Sequence, residues 1–413
     1  MREDGTALPS DLPAEPTPGA IHRNVARRVG DVLRLGASWV ARATDQHGRV
    51  DRTVTLALAV LVGGLALAGI PALRAAFPAG IDLEIPLRAA SHWSAGASAY
   101  PPSAMQVQSG PDLPYLYPPF LLPFLSLMVS LPRDLVIDVW LVICLFAAVW
   151  ACRRIGIPWI AIPCLLAWPP FGEGLLVGNV QILLFAAFVA VFCEPGMWAL
   201  EQRSLQPSRD LQNGVLAALV GALKFTQALP VLYLARRRFR AALLGVAVLA
   251  GVLIATLPLT GLHIYGDWFA QLQRASDPAW TVGGVSLTHR AGIPDAVPIA
   301  VGVVLALLVR GRDSVAWLGI ALIVATPSVH GYTFLFLLPA MLTIRRDIAI
   351  PVGMLFLGVY QGYSWWLAFV IVAWVLMASA RWPWLRAPRA SEELGPAEAG
   401  GASGTRRAVG FEP

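Results

Sequence analysis

Thirteen apolar segments recur along the chain, at about 53–72, 116–131, 134–152, 156–170, 176–194, 211–223, 226–235, 240–260, 295–309, 313–327, 331–344, 347–362 and 364–380, and arginines crowd the gaps between them. Within a bilayer every backbone polar group must be satisfied internally, so such segments fold as helices, and a straight crossing takes about 20 residues. At 413 residues, 57% hydrophobic and 14% charged, the chain reads as an all-α polytopic membrane protein. Several segments are shorter than a crossing and carry prolines, which predicts kinked or partial helices.

Arginine placement sets the expected topology, because cytoplasmic loops collect positive charge. With the N-terminal tail, Arg153-Arg154, Arg236-Arg237-Arg238, Arg310 and Arg312, Arg345-Arg346 and the C-terminal tail inside, 25 arginines lie inside against 5 outside (Arg74, Arg88, Arg133, Arg274, Arg290). Both termini are then cytoplasmic, which requires an even number of crossings. The segment 116–131, broken by Pro118, Pro119 and Pro123, is the one to remove, leaving twelve spans with 116–131 re-entrant or lying along the outer interface. Two large extracytoplasmic loops remain, at about 73–133 and 261–294. Residues 1–50 and 386–413, rich in Pro, Gly, Ala, Glu and Arg, read as disordered cytoplasmic tails flanking a membrane domain over 51–385. The first fifty residues are polar and the run from Val54 to Leu73 is long enough to stay as an anchor, so no cleavable leader is expected. The net charge of +6 comes from these juxtamembrane arginines rather than from a basic stripe with interleaved aromatics, and no nucleic-acid partner is expected. Cys144, Cys152, Cys164 and Cys193 fall in or at the ends of apolar runs without metal-binding spacing and read as small buried hydrophobes. No internal repeat is evident, which weighs against carriers built from inverted halves.

Against this background the polar exceptions are informative. Lys224 is the chain's only lysine and sits at the bend between 211–223 and 226–235, with Thr226 and Gln227 adjacent. A charge at membrane depth costs roughly 2.5–3.5 kcal/mol on insertion scales, so it faces a cavity or a partner. An ammonium there suits a phosphate, or a buried carboxylate such as Asp82 or Glu173. Asp82, just past the first span, is either a helix N-cap or a reactive carboxylate at the membrane surface, followed by Glu84, Arg88, His92, Trp93 and Tyr100. Tyr115-Leu116-Tyr117-Pro118-Pro119 is a rigid turn whose tyrosines also suit an interfacial belt. Gly178-Asn179-Val180-Gln181 offers two carboxamides to a hydroxylated ligand or to a neighbouring helix. The second loop carries Ser286-Leu287-Thr288-His289-Arg290, and Pro327-Ser328-Val329-His330-Gly331-Tyr332 makes a short outer connection. Asp82, Asn179, Gln181, Lys224, Arg290 and His330 all map to one side of the membrane on this topology.

In their order and spacing, over roughly residues 53–380, Asp82, Gly96 with Tyr100, Tyr117-Pro118-Pro119, the Gly178 motif, Gly221-Ala222-Leu223-Lys224, Ser286-Leu287 with Arg290, and Pro327 with His330 form a recognisable series. The chain resembles the polyprenyl-phosphate-mannose-dependent mannosyltransferases of the GT-C type, glycosyltransferase family 87. It departs from the usual pattern where Gly178-Asn179-Val180-Gln181 exchanges the two amides of Gly-Gln-x-Asn, and where Gly284-Val285 replaces Asn-Gln. The resemblance implies a GT-C-like bundle of about twelve transmembrane helices with extracytoplasmic loop helices, in which Asp82 is the general base and the cationic positions face a lipid phosphate.

The expected reaction moves a hexose, mannose on the resemblance, from a polyprenyl phosphate to a glycolipid or glycan acceptor on the extracytoplasmic face, with inversion. Nucleotide sugars are not available there, and a lipid phosphate leaves as a stable anion without a general acid, so a single carboxylate suffices. Lys224, Arg290 and His330 are the expected phosphate-binding residues, and Asn179, Gln181, Tyr117, Tyr100, Glu84 and His92 the expected sugar or acceptor contacts. No metal ligands and no cofactor are expected. A divalent cation held by Asp82 and Glu84 is the weaker version, because residues two apart on a helix point about 200° apart. The competing readings are a twelve-span carrier or lipid flippase, with Lys224 binding an anionic substrate, and a scaffold subunit. Scarce lysine with abundant alanine and arginine suggests a GC-rich genome and fits a bacterium, whose plasma membrane is the expected location.

Overall fold

The computed structural model describes residues 79–107, 110–157, 159, 161–166, 168–193, 207–276, 284, 291–311, 313–344 and 362–385. The two tails, the segment expected at 53–72, all but the last residue of that expected at 347–362, and most of 277–290, Arg290 included, lie outside the described residues. Among the described residues all regular structure is helical, with no strand.

Fourteen α-helices are described: α1 (Ile81–Ser94), α2 (Leu122–Val129), α3 (Arg133–Arg154), α4 (Ala161–Leu166), α5 (Pro169–Val177), α6 (Gln181–Phe192), α7 (Asp210–Leu223), α8 (Leu229–Arg237), α9 (Phe239–Thr260), α10 (His263–Ala275), α11 (Ala296–Leu308), α12 (Ser314–Val324), α13 (Leu338–Thr343) and α14 (Gly362–Ala378). Two of them, α3 and α9, are long and apolar enough to cross a bilayer at 22 residues each. The core helix of a soluble protein would be mostly buried, yet only 28% and 17% of their most apolar windows are covered by the rest of the protein. Leu135, Val142 and Phe146 on α3, and Leu243, Val246 and Ile254 on α9, point outward. A surface of that chemistry needs lipid around it, and the chain is a membrane protein.

Among the described residues, the other expected spans fold as shorter or broken pieces. Residues 156–170 hold α4 and the start of α5, which Pro169 and Pro170 open as a separate helix. The segment 116–131 is a 3₁₀ turn at Pro119–Leu121 followed by the eight-residue α2, together rising less than about 20 Å against a hydrocarbon core of about 30 Å. The two apolar pieces around Lys224 are α7 and α8, joined by the 3₁₀ turn Phe225–Gln227.

At the centre lies α6, apolar almost all round and correspondingly buried. Phe185 and Phe188 meet Phe336 edge to face, and Phe192 meets Tyr233 likewise. This packing fixes the helix that starts at Gln181. Beside it α7 and α9 cross through glycines. A methyl on Gly214 would lie 1.9 Å from the Ala241 carbonyl oxygen, and one on Gly245 would lie 2.1 Å from the Gly214 oxygen. Close approach through small residues is how helices associate where lipid removes the hydrophobic drive. Gly214→Ala is expected to destabilise the fold by about 1–3 kcal/mol through overpacking, read as a lower midpoint of thermal unfolding in detergent. The Arg238 guanidinium holds both Asp210 carboxylate oxygens at 3.0 and 3.1 Å, closing the same pair at the arginine-rich end. Lys224 lies at the other end of α7, about 20 Å away along the helix.

Cys144, Cys152 and Cys193 are buried free thiols, matching their reading as small hydrophobes.

Candidate active site

The site is built on the turn between α5 and α6. Gly178 takes φ 68 and ψ 34, and the Gly178 and Asn179 amides return to the carbonyls of Leu175 and Gly174. This is a Schellman stop, which favours glycine at the left-handed position. Gly178 is also pressed against Gly80, whose Cα would be 3.2 Å from a methyl there, and its carbonyl accepts from Trp140 Nε1 at 2.7 Å. The turn is therefore locked to α3 and to the start of α1. Asn179 Oδ1 accepts from the Gln181 amide at 2.8 Å, a local bond that orients the first carboxamide before α6 begins.

Each carboxamide then holds one charged group. Asn179 Nδ2 donates to Asp82 Oδ2 at 2.6 Å, and Lys224 Nζ donates to Gln181 Oε1 at 2.8 Å. Asp82 does not cap α1. Gly80 is the N-cap, no side chain caps the helix, and the Asp82 carboxylate is given to Asn179 instead. Burial raises the Asp82 carboxyl above its ordinary range, opposed by the Asn179 bond and the charge of Lys224. Burial lowers the Lys224 ammonium to about 8, opposed by Asp82. Lys224 sits in the connection between α7 and α8 and Asp82 in the first turn of α1, where the cost of charge is offset by these partners. The sequence offered Asp82 or Glu173 as a direct partner for Lys224; its hydrogen bond goes to Gln181, and Asp82 acts through its charge.

Tyr332 completes the cluster, and the sequence reading had not singled it out as a site residue. His330 stacks on its ring with centroids 5.1 Å apart and planes at 12°, and Lys224 Nζ lies 5.2 Å from the ring centroid. The Asn179 side chain also lies near its hydroxyl. One aromatic ring thus joins the carboxylate side to the cationic side. Burial, and then the charge of Lys224, push the His330 imidazole down to about 4, so His330 enters the site as a neutral hydrogen-bonding group rather than as a cation. Gly284 closes over it, since a methyl there would lie 3.3 Å from His330 Nε2.

The expected contacts from the first loop divide. Tyr117 is part-buried and close enough to Asp82 for the carboxylate to act on its hydroxyl. Tyr100 stands behind it: the Tyr100 hydroxyl donates to the Tyr117 carbonyl at 2.8 Å, and Tyr100, Tyr115 and Tyr117 pack in series with centroids 5.4 and 5.7 Å apart. Tyr100 and Tyr115 are buried, which removes the interfacial-belt reading for Tyr115. Glu84 points away and forms a salt bridge with Arg133, and His92 is exposed in the last turn of α1. Neither joins the cluster, because α1 carries Asp82 to the Gly178 turn and rotates both off that face. Asp82 and Glu84 accordingly do not converge on one point. Groups of three or more His, Cys, Asp or Glu arranged to hold a metal ion are absent among the described residues.

No curated protein and no solved structure matches the chain. The family model of Glycosyltransferase family 87 matches residues 115–329, which include the Tyr117 turn, Asn179, Gln181 and Lys224 and end one residue before His330. More than half of the chain is covered, and the protein belongs to glycosyltransferase family 87.

Proposed function

We propose that this membrane glycosyltransferase moves a hexose, mannose in our reading, from a polyprenyl phosphate to a lipid or glycan acceptor at the extracytoplasmic face of a bacterial plasma membrane. The twelve-crossing topology with both termini cytoplasmic is part of this proposal. The observation that carries it is the pair of bonds from one turn, Asn179 to Asp82 and Gln181 to Lys224, which sets a base beside an anion-binding ammonium.

In this mechanism the Asp82 carboxylate takes the proton of the acceptor hydroxyl. The hydroxyl oxygen bonds to the anomeric carbon as the bond from that carbon to the phosphate oxygen breaks, with inversion, and the polyprenyl phosphate leaves with the electron pair. Lys224 meets the charge that develops on the leaving phosphate, neutral His330 supplies one N–H, and Arg290 adds a fixed positive charge from the second loop. Asn179 holds the base in place, and Gln181 and Tyr117 face the sugar and the acceptor. The chemistry uses no metal, so turnover is expected to be unchanged in a chelator. Membership of a glycosyltransferase family sets the carrier and scaffold readings aside.

The test is transfer of labelled mannose from polyprenyl-phosphate-mannose into lipid by membranes containing the protein, beside membranes lacking it. Incorporation dependent on the protein supports the donor class. Absence of transfer from this and every other polyprenyl-phosphate sugar offered would overturn it.

A further inference from the structure

Glu173 has no part in the mechanism above, yet its carboxyl lies within the same cluster. It sits in α5, feels the charge of Asp82, and is packed against Gly331 so closely that a methyl at that position would meet Oε2 at 2.0 Å. The nearby Gly331 amide favours the ionised carboxyl, while Oε2 itself is buried without a hydrogen-bond partner among the described residues. Native proteins rarely leave a buried carboxylate oxygen unsatisfied, and such an atom calls for an explanation. A second atom of the site is in the same state: Gln181 Nε2 is buried and unpartnered.

The chemistry of the missing partners is restricted. A carboxylate oxygen accepts and an amide nitrogen donates. Phosphate oxygens are anionic acceptors, which an ionised carboxyl repels. Sugar hydroxyls both donate and accept, and would satisfy both orphaned atoms.

We propose that Glu173 is a sugar-binding residue of the transfer site, its free Oε2 accepting a hydrogen bond from a hydroxyl of the transferred hexose. This rests on the reading that the donor is a polyprenyl-phosphate sugar. It divides donor recognition between two ends: Glu173 with Gln181 for the sugar, Lys224 with His330 for the phosphate.

The division is measurable in the full-length protein in detergent, from the KM for polyprenyl-phosphate-mannose and the inhibition constant of the same polyprenyl phosphate without its sugar. Glu173→Gln, nearly isosteric, is expected to raise the donor KM about tenfold and to leave inhibition by the bare lipid phosphate within about twofold of wild type. Glu173→Asp, which keeps the charge, should recover part of the loss. A purely structural role for Glu173 would shift both constants together, and that result, or an unchanged donor KM, would overturn the proposal while leaving the transfer reaction in place. If the wild-type protein transfers nothing from any polyprenyl-phosphate sugar, the underlying reading falls and this assignment falls with it.

Discussion

Asp82→Asn is expected to lower turnover by about 10²–10⁴-fold, the range that a positioned general base contributes, with the donor KM little changed. The substitution keeps the shape of the side chain and leaves an oxygen for Asn179 Nδ2, which donates to Asp82 at 2.6 Å in the native protein. What disappears is the basic lone pair facing the acceptor hydroxyl. A second consequence follows from the charge. Asp82 supports the Lys224 ammonium against burial, so the variant should also lose donor affinity at a lower pH than wild type. Transfer of labelled sugar at matched expression, with folding checked by thermal unfolding, separates these effects. Near-normal turnover in a folded Asp82→Asn protein would remove Asp82 as the base.

Lys224→Met is expected to lower kcat/KM by about 10–100-fold, corresponding to loss of one hydrogen bond from a charged donor. The pH profile of kcat/KM, which reports the free enzyme, carries the sharper signature. Lys224 is lowered from its ordinary value to about 8. Its charge is therefore present below that pH and lost as pH rises through it, giving a falling alkaline limb. Asp82 is raised above its ordinary carboxylate range, so the base form is lost as pH falls and the acid limb lies higher than for an exposed aspartate. Glu173, pushed up to about 7 by burial and by the charge of Asp82, contributes to the same acid limb. Lys224→Arg keeps a charge that does not titrate in this range and should flatten the alkaline limb while retaining part of the activity. An alkaline limb that persists near 8 in Lys224→Arg would assign it to another group.

Much of this organisation is legible in the sequence because polar residues are expensive in apolar surroundings. Lys224, Asn179 and Gln181 interrupt hydrophobic runs, and the structure brings them together with Asp82 in direct bonds. His330 was legible from its place in a short connection, but not its neutrality, which depends on burial beside Lys224. Tyr332 and Glu173 were harder to see. A tyrosine opening an aromatic run gives no separate signal, and its role comes from stacking with His330 and from Asn179, which is 153 positions earlier in the chain. Glu173 was visible as a carboxylate in apolar sequence, but its contact is with Gly331 rather than with the lysine. Glu84 and His92 were drawn toward the site by proximity to Asp82 in sequence, and helical rotation sends them elsewhere. The number of crossings was the least legible, because composition marks apolar length while prolines decide where a segment breaks, as between α4 and α5.

The spacing of Asn179 and Gln181 has a consequence for the reach of the reaction. The two amides act as the jaws of a caliper: one grips the carboxylate, the other the ammonium, and a single residue, Val180, separates them. The caliper is seated at the start of a deeply packed helix, so its opening is set by the core of the protein. Exchanging the two amides would lengthen one jaw and shorten the other by about 1.5 Å, one carbon–carbon bond each. On the proposed mechanism, the gauge that sets how far the attacking oxygen stands from the departing phosphate is cut into three consecutive residues.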